Sequence, residues 1–145
     1  MFALKKILNG RINVAEPISM RSGVSAETEF KAGTAVKYTN GVLGKVAGDD
    51  TAEFVVLEDK TCSVATDEVL LILVTKEMLF DAPAAASVTV GTRVQFNGTA
   101  DGVTATPVTE GITITTTDEN TTATESGFGA YIMGYADGVA TVRLA

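Results

Sequence analysis

Two dipeptides constrain this chain more than any other feature: Asn40-Gly41 and Asp137-Gly138, each set among short stretches where apolar and polar residues alternate. A two-residue hairpin turn of type I′ needs left-handed backbone at both central positions, which Asn-Gly and Asp-Gly adopt at little cost, so each dipeptide predicts an antiparallel hairpin. Val36 and Tyr38 alternate with polar neighbours before the first turn, and Ala140, Val142 and Leu144 alternate to the end after the second. Gly41, Gly44 and Gly48 come too densely for a helix. AEFVVLED at 52–59 reads as a β-branched and aromatic strand closed by Glu58-Asp59-Lys60. EVLLILV at 68–74 reads as a strand buried on both faces, with one helix over 66–80 as the alternative. Met78 to Phe80 begin another strand, which Asp81-Ala82-Pro83 ends. Eleven of the 26 residues from Thr99 to Thr124 are threonine, and GITITTT alternates Ile112 and Ile114 against them as a strand with one wet face should. DENTTATESG at 118–127 reads as a polar loop, and GFGAYIMGY places Phe128, Ala130 and Ile132 on one face. The expectation is an all-β fold, a small β-barrel or β-sandwich domain with an extended N-terminal arm.

The arm is residues 1–27, and the β domain is residues 28–145. MFALKKIL has room for two helical turns before Asn9-Gly10 stops it; Pro17 holds its predecessor extended, and SGVSAET at 22–28 reads as a linker. Strand signals begin only at Phe30, so removing residues 2–22 is expected to leave a folded domain. Within that domain AGTAVKYTNG (32–41) and VGTRVQFNGT (90–99) share Gly-Thr-x-Val-x-aromatic, each followed by a Gly-Val pair, Gly41-Val42 and Gly102-Val103. This faint repeat suggests two similar β halves, around 30–60 and 88–145, packed on one another.

A length of 145 residues suits one domain, or one domain plus an arm, and the 46% hydrophobic content argues against a disordered chain. The longest aliphatic run, Val69 to Val74, is far short of the roughly 20 residues that cross a bilayer, and Lys5 and Lys6 interrupt the apolar start, so no membrane span or signal peptide is expected. The net charge of −7 is unevenly spread: residues 1–48 carry seven bases against three acids, residues 49–145 four against fifteen. A basic end on an acidic body suggests docking onto an acidic partner. Four bases before residue 22 are too few to make nucleic acid the main ligand of such a body.

Catalytic readings fare poorly. The chain has no histidine and one cysteine, which removes Ser-His-Asp and Cys-His chemistry, a disulfide framework and the usual zinc sites. Asp49-Asp50 with Glu53 lacks the spacing of a calcium loop. Glu58-Asp59 with Asp67-Glu68 has no tryptophan nearby to stack a sugar, and Cys62 beside Lys60 has no base to activate it. Gly127-Phe128-Gly129 lacks the Gly-Lys-Ser/Thr of a phosphate loop and suits a bulge or a close backbone approach. No enzyme activity, metal or cofactor is expected.

The start ILNGRINVAEP, the opening AGTAVKY, the stretch VGTRVQFNGTADGVTATPV and the close GFGAYIMGYADGVATVRLA together give the chain a likeness. In this Gly, Val and Thr spacing it resembles the small head decoration, or capsid cement, proteins of tailed bacteriophages, over roughly residues 30–145. The middle, TCSVATDEVLLILVTKEMLFDAP, is longer and more aliphatic than that family's pattern. The resemblance implies a virion protein, made in the host cytoplasm, that sits on the outer capsid surface as a homo-oligomer, a trimer being favoured. It would tie major capsid protein subunits together against the pressure of packaged DNA, with no direct contact to nucleic acid or membrane. On this reading Lys5, Lys6, Arg11 and Arg21 anchor to shell carboxylates while Phe2, Leu4 and Ile7, with Leu8 and Ile12, give apolar anchoring. The other readings are a tail-tube or head-fibre subunit and a carbohydrate-binding adhesin sandwich.

Overall fold

The computed structural model describes residues 1–8, 16–84, 87–108, 111–117, 119–126 and 128–145, and among them it contains fifteen strands and no helix. Eleven strands form two antiparallel sheets. The larger runs β1 (Ala3–Ile7), β9 (Met78–Pro83), β15 (Val139–Arg143), β14 (Ala130–Ala136), β10 (Arg93–Phe96), β11 (Val103–Pro107). The smaller runs β2 (Ile18–Arg21), β8 (Glu68–Leu73), β6 (Phe54–Val56), β4 (Ala35–Thr39), β5 (Val42–Lys45). Two ribbons complete the fold, β3 (Thr28–Phe30) with β7 (Lys60–Cys62), and β12 (Gly111–Thr117) with β13 (Asn120–Ser126). Neither sheet closes on itself, so the architecture is a sandwich of open sheets and not a barrel.

Both hairpin dipeptides turn the chain as expected. Thr39 faces Val42 across Asn40 (φ 50°) and Gly41 (φ 79°), and Ala136 faces Val139 across Asp137 (φ 51°) and Gly138 (φ 78°). The two copies of the repeat fall in opposite sheets, with β4 in the smaller and β10 in the larger, and Gly33 and Gly91 both have positive φ.

Strand period two explains the layers. In β6, Val55 points into the main core while Phe54 and Val56 point the other way; in β8, Ile72 opposes Val69 and Leu71. The main core lies between the sheets, where Ala35, Val55 and Ile72 of the smaller meet Phe80, Val94, Ile132 and Val142 of the larger. A second core on the far face of the smaller sheet joins Val36, Val56, Val69 and Leu71 to Phe30 and Cys62 of the β3–β7 ribbon, and to Val24. Burial on two faces is what makes β8 a continuous apolar run, and it settles 68–73 as strand rather than helix.

Four expectations need correction. MFALKKIL is strand β1, not helix. The strand begun at Met78 runs on through Asp81, Ala82 and Pro83, which pair with Thr141, Ala140 and Val139. The polar stretch after Asp118 is β13, paired with β12 from Asn120 opposite Thr117 to Ser126 opposite Gly111. Phe128 stands 42% exposed, whereas Ala130 and Ile132 are fully buried. The turn expected at Asn9-Gly10 and the role of Gly127 lie outside the described residues.

The N-terminal segment is extended, and it is built into the sandwich: β1 pairs with β9 at the edge of the larger sheet and β2 with β8 at the edge of the smaller. Phe2, Ser22 and Val24 are all buried. Gly23, at φ +68°, packs so closely that an added Cβ would strike the Gly41 carbonyl oxygen. Removing residues 2–22 would therefore strip an edge strand from each sheet and an aromatic ring from the core. The expectation that the remainder stays intact does not survive this geometry.

Candidate functional site

The short connection 74–77 carries the chain from β8 in one sheet to β9 in the other. β1 lies outside β9 as one edge strand of the larger sheet, and β2 lies outside β8 as one edge strand of the smaller. The basic N-terminal segment thus supplies one edge strand to each sheet. An outermost strand offers unpaired N–H and C=O groups to another chain, and basic side chains there add an attraction for acidic partners.

The expected docking residues divide. Phe2 is a core residue at 3% exposure, its ring edge-on to Phe96 with centroids 5.8 Å apart. It is therefore not available to a partner. Leu4 and Ile7 are half-buried and pack against the same core. Lys5 is exposed but engaged along the sheet: its Nζ lies 3.4 Å from Asp81 Oδ1 and donates to Thr141 Oγ1, which itself donates to Asp81 Oδ1 at 2.8 Å. Lys6 and Arg21 are exposed, and neither forms an ion pair among the described residues. Arg21 is fixed through its backbone, its carbonyl accepting the Tyr38 hydroxyl, and burial together with the Glu53 carboxylate raises the Tyr38 pKa. Arg11 lies outside the described residues. The surviving candidates for docking are Lys6 and Arg21, with Leu8 just past β1 and Ile18 on β2 exposed beside them.

Several of the acidic residues are occupied in or beside turns. Asp50 pairs with Lys37 at 2.6 Å and accepts the Ala47 amide, while Glu53 accepts the Tyr38 amide. Asp59 accepts the Ala32 amide and lies 3.8 Å from Lys31. Hydrogen bonding and charge from Glu29, reinforced by Asp59, raise the Lys31 pKa. Asp67 accepts the Ser63 and Val64 amides, which hold its carboxyl below the usual carboxylate range. Asp101 is lowered in the same direction, first by the Thr99 hydroxyl and then by the Asn97 amide. Among the described residues no three acids or thiols gather as a metal site would need. Cys62 is fully buried in the second core, away from any solvent-borne electrophile. Gly129, at φ +74°, lies against the Val94 carbonyl, the close backbone approach expected there.

One arrangement had no signal in the sequence. Cross-strand register sets Tyr131 of β14 opposite Arg93 of β10 on one side and Arg143 of β15 on the other. The Arg93 guanidinium carbon lies 5.7 Å from the ring centroid and that of Arg143 lies 5.0 Å from it. Each is within the range of a cation–π contact. The three residues are 38 and 12 positions apart in the chain, so only the strand pairing brings them together. No family model, curated protein or solved structure matches this chain.

Proposed function

We propose that this protein is a structural component of a phage head, a decoration protein that docks on the outer capsid surface through its basic sheet edge and ties major capsid protein subunits together. One observation carries the reading: one edge strand of each sheet, β1 and β2, comes from the basic N-terminal segment of an otherwise acidic chain. An edge of this kind offers backbone hydrogen bonds and cations to an acidic shell, while Phe2, Leu4 and Ile7 stay against the protein's own core. The likeness of residues 30–145 to capsid cement proteins, and the engagement of Asp50, Asp59, Asp67 and Asp101 by backbone amides and neighbouring side chains, support a binding rather than a catalytic role. Homo-oligomerisation belongs to the same proposal.

The test is co-sedimentation with bare, expanded capsids at low and high salt. Lys6→Glu with Arg21→Glu reverses two exposed charges and leaves the core untouched. The double variant is expected to bind about tenfold or more weakly at low salt, with a shallower salt dependence than the parent. Equal binding of parent and variant at both salts would refute docking through this edge.

A further inference from the structure

Three Asn-Gly pairs stand in the chain, Asn9-Gly10, Asn40-Gly41 and Asn97-Gly98. Such a pair carries latent chemistry: the glycine amide nitrogen can attack the asparagine side-chain carbonyl carbon, because the glycine has no Cβ to block the approach. A C–N bond forms, ammonia leaves, and a five-membered succinimide remains. Water then opens the ring at one of its two carbonyls. The product is aspartate, or isoaspartate, whose main chain runs through the side-chain carbon and is one methylene longer. How readily a pair reacts depends on how the fold holds the carboxamide.

The structure treats the two described pairs in opposite ways. Asn97 is half-buried, and its carboxamide is held at both atoms. Nδ2 donates to Asp101 Oδ1 at 2.8 Å, while Oδ1 accepts the Asp101 amide at 3.1 Å and the Thr99 hydroxyl at 3.2 Å. It must give up these bonds before it can turn toward Gly98. Asn40 is exposed at the tip of the β4–β5 hairpin, and its side chain makes no hydrogen bond among the described residues. Gly41 is exposed as well, and a Cβ built on it would meet nothing within 4 Å. The left-handed backbone of Asn40, at φ 50°, means that the tip must open before attack. A two-residue tip at the edge of a sheet opens locally, at far lower cost than global unfolding.

A change at this tip would not stay there. The Gly41 carbonyl packs against Gly23, the Leu43 amide donates to the Ser22 carbonyl at 2.8 Å, and the Tyr38 hydroxyl donates to the Arg21 carbonyl. Residues 21–23 are thus seated on the hairpin that Asn40 closes. An extra methylene in a two-residue turn destroys the pairing of Thr39 with Val42 and displaces the Gly41 carbonyl and the Leu43 amide. Aspartate tolerates left-handed backbone and leaves the turn in place.

We propose that Asn40 is a site of spontaneous deamidation, and that its isoaspartate product releases residues 21–23 from the β4–β5 hairpin. Loss of ammonia to solvent makes the change one-way, so it accumulates with the age of the molecule. Arg21 ends β2, so the release loosens one of the two basic edge strands. Any effect on capsid docking rests on the function proposed above; the modification and the release do not.

The test ages the full-length folded protein at physiological temperature in mildly alkaline buffer and maps it by trypsin digestion and mass spectrometry. Cleavage after lysine and arginine puts Asn9 in peptide 7–11, Asn40 in 38–45 and Asn97 in 94–143, so the three pairs are read separately. Asn40 is expected to convert about tenfold or more faster than Asn97, the ratio that about 1.4 kcal/mol of side-chain hydrogen bonding at Asn97 produces. In concentrated denaturant the two rates should converge. Asp101→Ala, which removes the acceptor for Asn97 Nδ2, should speed Asn97 conversion in the folded protein several-fold. The isolated isoaspartate form should exchange the Ser22, Gly23 and Leu43 amides faster than the parent, whereas Asn40→Asp and Asn40→Gly should not. The proposal fails if Asn40 converts no faster than Asn97 in the folded protein, or if aspartate alone forms at position 40. It fails equally if the isoaspartate form exchanges those three amides as slowly as the parent. No capsid enters the measurement, so its failure is distinct from a failure of docking.

Discussion

Phe2→Ala asks whether the first strand is part of the fold or an appendage to it. The ring is 3% exposed, stands edge-on to Phe96 at 5.8 Å, and the Phe2 amide donates to the Gly33 carbonyl at 2.8 Å. Burying a phenyl side chain contributes about 1.5–3 kcal/mol, and an edge-to-face pair about 0.5–1.5 kcal/mol more. Core Phe→Ala changes reach about 3–5 kcal/mol when the cavity cannot collapse. Here a strand near the start of the chain can shift toward the hole, so the lower end, about 3 kcal/mol, is expected. That is a large share of a typical stability of about 5–15 kcal/mol. For a chain of this size it corresponds to a fall in Tm of roughly 6–12 °C. Urea denaturation should show a lower midpoint at unchanged slope. Leu8→Ala, at a residue 48% exposed just past β1, serves as the control and should cost under about 0.5 kcal/mol. A loss below about 1 kcal/mol for Phe2→Ala, with free-chain hydrogen exchange across β1, would mean that the strand detaches on its own. The segment would then behave as an arm, and the argument from burial would be wrong.

The parts of the fold legible in the sequence are those that one local rule decides. Asn40-Gly41 and Asp137-Gly138 were readable because two consecutive left-handed residues have almost no other use. The ending Ala140, Val142, Leu144 was readable because one strand with one buried face alternates strictly. β1 was not, and the reason is a bulge. The register shift between Leu4 and Lys6 brings Leu4 and Ile7 onto the same inner side, and that three-residue spacing is also the spacing of a helix face. Phe128 misled for a related reason: Gly129, at φ +74°, breaks the extended backbone, so the alternation of Ala130 and Ile132 does not extend back to it. β13 left no apolar trace because its partner is one strand of a ribbon, and backbone pairing of threonine-rich segments needs no hydrophobic face. Of the candidate site, the cations of the N-terminal segment were visible, but not that Lys5 turns to Asp81 or that Phe2 is spent on the core. The Arg93–Tyr131–Arg143 cluster depends on the registers of three strands distant in sequence, which no local pattern encodes.

Two more outcomes test the reasoning where it is most specific. Gly23→Ala forces a side chain into left-handed backbone and against the Gly41 carbonyl, so it should cost more than about 2 kcal/mol in denaturant, and a neutral result would mean that the 22–24 segment is not seated on the β4–β5 turn. Asp67→Asn addresses acid stability. The Asp67 carboxylate accepts the Ser63 amide at 2.8 Å and the Val64 amide at 3.2 Å, closing the turn between β7 and β8, and these bonds lower its pKa in the folded state. A lowered folded pKa adds stability that is complete above the unfolded value and is lost as pH falls through the folded one. Asparagine keeps one acceptor oxygen and has no proton to take up. At neutral pH the variant should therefore be less stable than the parent, and the gap should close as pH falls below the ordinary aspartate value, near 3.9. Urea midpoints of both proteins between about pH 7 and pH 2 measure that gap. A gap that stays constant to the lowest pH would show that the carboxylate charge contributes nothing to this turn, leaving only the hydrogen-bond geometry that asparagine preserves.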